Sequence, residues 1–333
     1  MTGYRAQITE LLEVVGVRSP DAYSWLGQIF ERRPSDADED ASNPERWITR
    51  ALRIRLYGDF FITGRPAPAS GPRPLGPEAD RTLLTDRLSA ANRGAGAADP
   101  GWTILRRDGD QTVVTRNALT LWARPEQVID LGHGTGAGAA VALRMPSERR
   151  GISEGFYTLL GDAGAIDMSV PIDRLYWHLR PNGGRALVAA LSDTLNRARL
   201  CFRMKTVNDP DAARRCDTAV LYVRRADREA ALALARAVHP QVAAHMLDAV
   251  PALTLRLAPG LAFAEDPGGS ESYGGNRCRL LAEALVVAWA AGDRGSGRMA
   301  HIERRFRQEG IALDRPFLSP GSPVDRRLLE AAA

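Results

Sequence analysis

The sequence predicts an α+β fold: a mixed, largely antiparallel sheet with packed helices, preceded by a small helical N-terminal region. Three observations carry this. The runs "RLYWHLR", "CFRMKTV" and "DTAVLYVRR" read as strands, and "PNGGRALVAALSDTLNRARL" and "DREAALALARAVHPQVAAHML" as helices. The resulting order of strand, helix, strand, strand, helix does not alternate as a parallel βαβ sheet does. Residues 3–33 and 44–62 carry apolar positions at helical spacing, among them Ile8, Leu11, Leu12 and Val15.

Taken in order, the chain divides into four parts. Residues 1–63 form the helical N-terminal region. Residues 64–101 form a Pro/Gly-rich linker, "GRPAPASGPRPLGPEAD", with a short helix and a second break at "NRGAGAADPG". Residues 102–310 form an α+β domain that opens on a meander of "WTILRR", "QTVVTR" and "LTLWAR". Residues 311–333 form a C-terminal tail.

Composition narrows the classes of function. The 333 residues are 44% hydrophobic and 25% charged, as expected of a globular chain. No stretch reaches the roughly 20 apolar residues of a membrane span. The N-terminus "MTGYRAQITELLEVV" lacks the pattern of a secretory signal, so a cytoplasmic location without membrane partners is expected. A net charge of +4 comes from 44 basic and 40 acidic residues, interleaved with no basic stripe and stacking aromatics, which disfavours a nucleic-acid partner. Cys201, Cys216 and Cys278 lack C-x-x-C spacing, and the histidines form no H-E-x-x-H or H-x-x-x-H run, so no disulfide framework and no metal site is expected.

The glycines of "LGHGTGAGAAVALRMP" imitate a dinucleotide-binding loop, but a strand-like "AAVALRM" ended by Pro146 follows where a long helix is needed. They read as a surface loop. No nucleotide site is otherwise evident.

One residue stands apart. Lys205 is the only lysine in the chain. Lysine, unlike arginine, can lose its proton when burial or neighbouring cations lower its pKa. In "CFRMKTV" Arg203 and Lys205 point to one side, Phe202 and Met204 to the other. In "RLYWHLR" Arg174, Tyr176, His178 and Arg180 share a face opposite Leu175, Trp177 and Leu179. With a helix packed on the apolar sides, His178 and Lys205 share one exposed sheet face amid arginines, an anion site with an acid and a base. The loop "EDPGGSESYGGN" precedes a helix whose first turn is expected to hold Arg277 and Arg279, an arrangement suited to phosphate.

The runs "LYWHLRPNGG", "FRMKTVNDPDAARRCDTAVLYV" and "LAPGLAFAEDPGGSESYGGNRCRLLAEAL" resemble the HopA-type effector family, over roughly residues 145–290. Its members include type III secretion effectors and stand-alone enzymes of class V lanthipeptide and thioamitide gene sets. The family is more remotely similar to phosphothreonine lyases and to the lyase domains of lanthipeptide synthetases, which remove phosphate by β-elimination. The resemblance implies Lys205 as the base and His178 as the acid, with Tyr176 standing where the lyase pattern has a lysine. It implies Arg215 and Arg277 or Arg279 as phosphate clamps, beside Arg203, with Tyr176 and Tyr222 orienting the substrate. The implied activity converts phosphoserine or phosphothreonine of a ribosomal precursor peptide to dehydroalanine or dehydrobutyrine, without cofactor. A separate peptide kinase, aminoglycoside-phosphotransferase-like, is then the expected partner. The alternatives are a non-catalytic phosphopeptide- or leader-binding subunit and a type III effector-like protein. The helical pattern of "ITELLEVV" disfavours the effector, which needs a disordered, Ser-rich secretion segment.

Overall fold

A computed structural model describes residues 3–36, 46–71, 75–164, 166–209, 212, 214–323 and 328. The expected linker and C-terminal tail lie partly outside these. The fold is α+β. No helix among the described residues is long and apolar enough to cross a membrane.

The N-terminal unit starts with helix α1 (Tyr4–Val14), which buries Ile8, Leu11 and Leu12. The helical expectation for 15–33 is overturned: strands β1 (Val15–Ser19), β2 (Ala22–Trp25) and β3 (Gln28–Glu31) form an antiparallel meander. Two causes act together. β-Branched Val15 and Val17 favour strand, and Leu26 and Gly27 both hold positive φ, 47° and 81°, in the two-residue turn that joins Trp25 to Gln28. Helix α2 (Trp47–Leu56) follows and runs into one π turn, Tyr57–Phe61, closed by the Ile62 N–H donating to Tyr57 O. The extra residue in that turn lets Phe60 and Phe61 both enter the core.

Helix α3 (Glu78–Ala91) is the short helix expected in the linker. Next come β4 (Ala98–Asp108), β5 (Gln111–Arg116), β6 (Leu119–Ala123), β7 (Val128–Asp130) and β8 (Ala140–Arg144). They form a five-stranded antiparallel sheet of order β6-β5-β4-β8-β7. It closes on a small cluster of its own, Trp102, Ile104, Val114, Ala123, Val141 and Leu143, rather than joining the main core. The glycine-rich loop spans the gap between β7 and β8 and leads into a strand.

The main sheet comprises β9 (Glu148–Arg149), β10 (Phe156–Leu160), β11 (Ile172–Trp177), β12 (Phe202–Val207), β13 (Ala219–Arg224), β14 (Leu255–Ala258) and β15 (Leu261–Glu265). Its order is β14-β15-β11-β13-β12-β10-β9, with every neighbour antiparallel. Helices α4 (Gly183–Arg197) and α5 (Arg228–Val242) cover one face, α4 against β12 and α5 against β13. Helix α6 (Tyr273–Ala290) covers the other together with α2 and the π turn, and α7 (Gly297–Gln308) packs behind α6.

The N-terminal unit is therefore one of the two layers over the sheet. Phe61 packs on the bare Cα of Gly274, and its carbonyl accepts from Ala252 N at 3.0 Å. β11, third from one edge of the sheet counting β14 first and covered on both faces, is buried along its whole length. The segment expected as a tail is also packed as far as it is described. Phe317 and Leu318 are buried, and Glu265 N donates to Phe317 O at 2.8 Å.

Candidate functional site

Strand register assembles the site. Arg203 on β12, Tyr222 on β13 and Arg174 on β11 stand directly opposite one another in one row across three strands. One step along the same face, the next row holds Lys205, Val220 and Tyr176. Period-two alternation points all of these away from α4 and α5. The first row and Lys205 open into a cleft of ≈ 920 Å³, whose rim is built by residues 168–171, the loop 266–272 and Ser319–Pro320.

Arg174, Arg203, Lys205 and Arg225 line the cleft against two carboxylates, Asp266 and Glu271, which leaves an excess of positive charge. The Tyr222 ring lies between two guanidinium groups, Arg203 at 4.6 Å and Arg174 at 5.1 Å from its centroid. Arg174 Nε donates to Asp266 Oδ2 at 2.6 Å, and Asp266 Oδ1 accepts from Gly268 N at 2.8 Å, which ties the rim loop to the sheet. Arg203 faces no carboxylate among the described residues, and its buried Nε has no partner there. Among the described residues Lys205 Nζ reaches only Ser153 Oγ, at 3.1 Å. Burial, reinforced by Arg203 and Arg174, holds the Lys205 ammonium below its ordinary pKa. An amine that sheds its proton early therefore stands beside two fixed cations.

The far half of the same face is closed. Tyr176 is fully buried beneath Phe61 and Tyr273, both at 6.4 Å between ring centroids, and its hydroxyl has no partner among the described residues. Burial raises its phenol well above the usual range. Tyr176 is wall, not an orienting group in the cleft. His178 lies one row further. Its Nδ1 is 2.9 Å from Ala249 O, and because a carbonyl can only accept, Nδ1 carries a proton. Burial lowers the His178 pKa, a trend opposed by Ala249 O and by Asp217 and Asp248. His178 and Lys205 are two strands and two residues apart, roughly 12 Å between Cα atoms from standard strand spacings. They share a face, as the alternation predicts, but not a cavity.

Three expected anion ligands are engaged elsewhere. Arg215 grips Asp217 through Nε at 2.8 Å and Nη2 at 3.0 Å and lies over the Phe156 ring. Arg277 is completely buried and donates to Pro316 O, Leu318 O and Asn276 Oδ1. Arg279 binds Glu271 and Glu283. None of the three lines the cleft. The helix begins at Tyr273, with Ser272 Oγ accepting from Gly275 N, so Arg277 and Arg279 sit in its second turn rather than its first.

The structure adds Arg174, Asp266 and Ser153 to the site. Alternation along "RLYWHLR" already placed Arg174 beside Tyr176. Nothing local marks Ser153, which reaches Lys205 through the loop before β10.

Two solved structures have a related outline. Both are effector proteins of Pseudomonas syringae: one from pathovar tomato strain DC3000, at 16% identity, covering 86% of this chain and 95% of that one with a TM-score of 0.48. The other, from pathovar syringae strain 61, is 14% identical and covers 86% of this chain and 94% of that one, with a TM-score of 0.47. No curated protein matches the chain. The model of the HopA1 effector protein family matches residues 147–318, which hold the whole main sheet and the cleft residues named above except Ser319 and Pro320. The chain belongs to the HopA1 effector protein family.

Proposed function

We propose that the chain is a phosphoserine/phosphothreonine lyase. It would act on a ribosomal precursor peptide that a separate kinase has phosphorylated, as in lanthipeptide or thioamitide biosynthesis. The observation that carries this reading is the sole lysine, its pKa lowered, in a cleft with two arginines around Tyr222. β-Elimination needs a base for the α-proton and neutralisation of the departing phosphate.

Neutral Lys205 Nζ takes the α-proton. The released electron pair forms the Cα=Cβ bond, the Cβ–O bond breaks, and a singly protonated ester departs as hydrogen phosphate held by Arg203 and Arg174. Tyr222 fixes both guanidinium groups. The scheme calls on no metal or organic cofactor, and it assigns no proton transfer to His178, whose Nδ1–H is committed to Ala249 O. That same commitment favours the second reading, a phosphopeptide-binding module without turnover.

Mass spectrometry of a phosphorylated peptide incubated with the protein separates the two. The lyase reading expects loss of phosphoric acid with the wild type. Lys205→Arg should abolish that loss while retaining phosphopeptide binding, because arginine keeps the charge and cannot become neutral. Binding without turnover in the wild type supports the module, and unchanged turnover in Lys205→Arg removes Lys205 as the base.

A further inference from the structure

We propose that the groove between α3 and α4, on the other side of the main sheet from the cleft, docks an acidic peptide segment. It does not depend on the lyase reading. The groove, of ≈ 520 Å³, has a floor that includes the methyl groups of Ala90 and Ala91 from α3 and of Ala186 and Ala189 from α4. Small side chains at these positions leave a trough where larger ones would close the helix pair.

Close approaches fix its shape. A Cβ on Gly184 would stand 3.1 Å from Leu88 Cδ2, and one on Gly183 would stand 3.0 Å from His245 Cβ. Glycine at both positions thus brings α3 and the turn after α5 tight against the start of α4. Arg93 N donates to Ser192 Oγ at 2.9 Å, which pins the end of α3 to α4.

The rim is cationic. Arg87 and Arg93 on the α3 side and Arg185 on α4 are exposed, form no ion pair among the described residues, and are joined by His245 at the far lip. No carboxylate among the described residues lines the groove. Three arginines around an apolar trough that no carboxylate among the described residues lines favour a ligand that supplies several carboxylates along an apolar backbone. A peptide rich in Glu or Asp has that character. Nucleic acid fits less well, since among the described residues no Phe, Tyr or Trp lines the groove to stack a base, and the only ring there is the His245 imidazole at the lip.

Fluorescence anisotropy of a fluorescein-labelled Glu-Ala repeat peptide, titrated with the full chain, tests this. Saturable binding that weakens with added salt is expected. Arg87→Glu/Arg185→Glu should weaken it about tenfold or more, because each attraction becomes a repulsion. Arg87→Ala/Arg185→Ala should weaken it less. Arg203→Ala, in the cleft, should leave it unchanged. Both rim arginines are exposed, and equal thermal melts by circular dichroism would show that the variants fold. Absence of saturable binding overturns the proposal, as does wild-type affinity in the charge-reversed variant or loss of binding in Arg203→Ala. Binding of a single-stranded RNA of the same length in place of the peptide would overturn it too.

Discussion

Arg277→Met separates a structural arginine from a ligand. Arg277 has no exposed surface, and its Nε and Nη2 donate to Pro316 O at 2.7 Å and Leu318 O at 2.8 Å. Methionine fills much of the stem volume and supplies no donor. Pro316 O keeps the Tyr273 hydroxyl at 3.1 Å, but Leu318 O and Asn276 Oδ1 lose the arginine. Two stranded buried acceptors cost about 1–3 kcal/mol each, and release of a buried guanidinium offsets part of that. A net loss of about 2–4 kcal/mol is expected, read as a fall in the urea midpoint at unchanged slope. Phosphopeptide affinity, measured well below that midpoint, should stay within about twofold of wild type, since the loss falls on folding rather than on the cleft. Wild-type stability combined with lost phosphopeptide affinity would refute the reasoning and restore Arg277 as a phosphate ligand.

Three further outcomes follow from the packing and the charges. On the lyase reading, turnover should rise with pH through the lowered pKa of Lys205, and Arg203→Ala, which removes one of the cations lowering it, should move that rise to higher pH in a pH–rate profile. The same group makes stability pH-dependent. Between its lowered folded pKa and the ordinary 10.5 the unfolded chain binds more protons, so stability rises with pH across that window, and Lys205→Met should flatten the rise in urea titrations. Gly274→Ala would drive a methyl group into the Phe61 ring and should cost about 1–3 kcal/mol by urea unfolding, with the circular dichroism spectrum retained.

Strands that present one polar and one apolar side announce themselves in sequence. Alternation in "CFRMKTV" and "RLYWHLR" is enough to set Arg203, Lys205, Arg174, Tyr176 and His178 on a common face, and register then brings the first three together. What covers that face is not written in those strands. The π turn of Tyr57–Phe61 lies more than a hundred residues away in sequence, yet Phe61 closes the Tyr176 end and leaves the Lys205 end open. The meander of 15–31 was hidden for a different reason: the helical spacing of α1 continues through Val15, and what tells against it is the pair of β-branched Val15 and Val17 and the Leu26–Gly27 turn. Arg277 and Arg279 carried a usable signal. Two residues apart on a helix they point to opposite sides, so they could not both have held one anion.

The use of arginine for almost every positive charge has a structural consequence. A guanidinium cannot give up its proton, so the only way a fold disposes of its charge is to surround it with acceptors. Arg228 does this with Asp173 and Glu265, both completely buried, and Arg277 does it with two backbone carbonyls. Neither residue type nor spacing in the sequence separates these from Arg203, whose guanidinium meets only the face of Tyr222. The difference lies in which partners the fold delivers. At the cleft it delivers Asp266 to Arg174 and nothing acidic to Arg203 or Lys205. Burial, reinforced by the excess charge left there, lowers the pKa of the one neighbour able to respond, and that neighbour is the chain's single lysine. An anion entering the cleft would cancel the charge and draw Lys205 back toward its protonated form. On the lyase reading, the substrate phosphate makes Lys205 a less available base as it binds, while the proton that Lys205 takes is better tolerated as the departing phosphate gains charge during elimination.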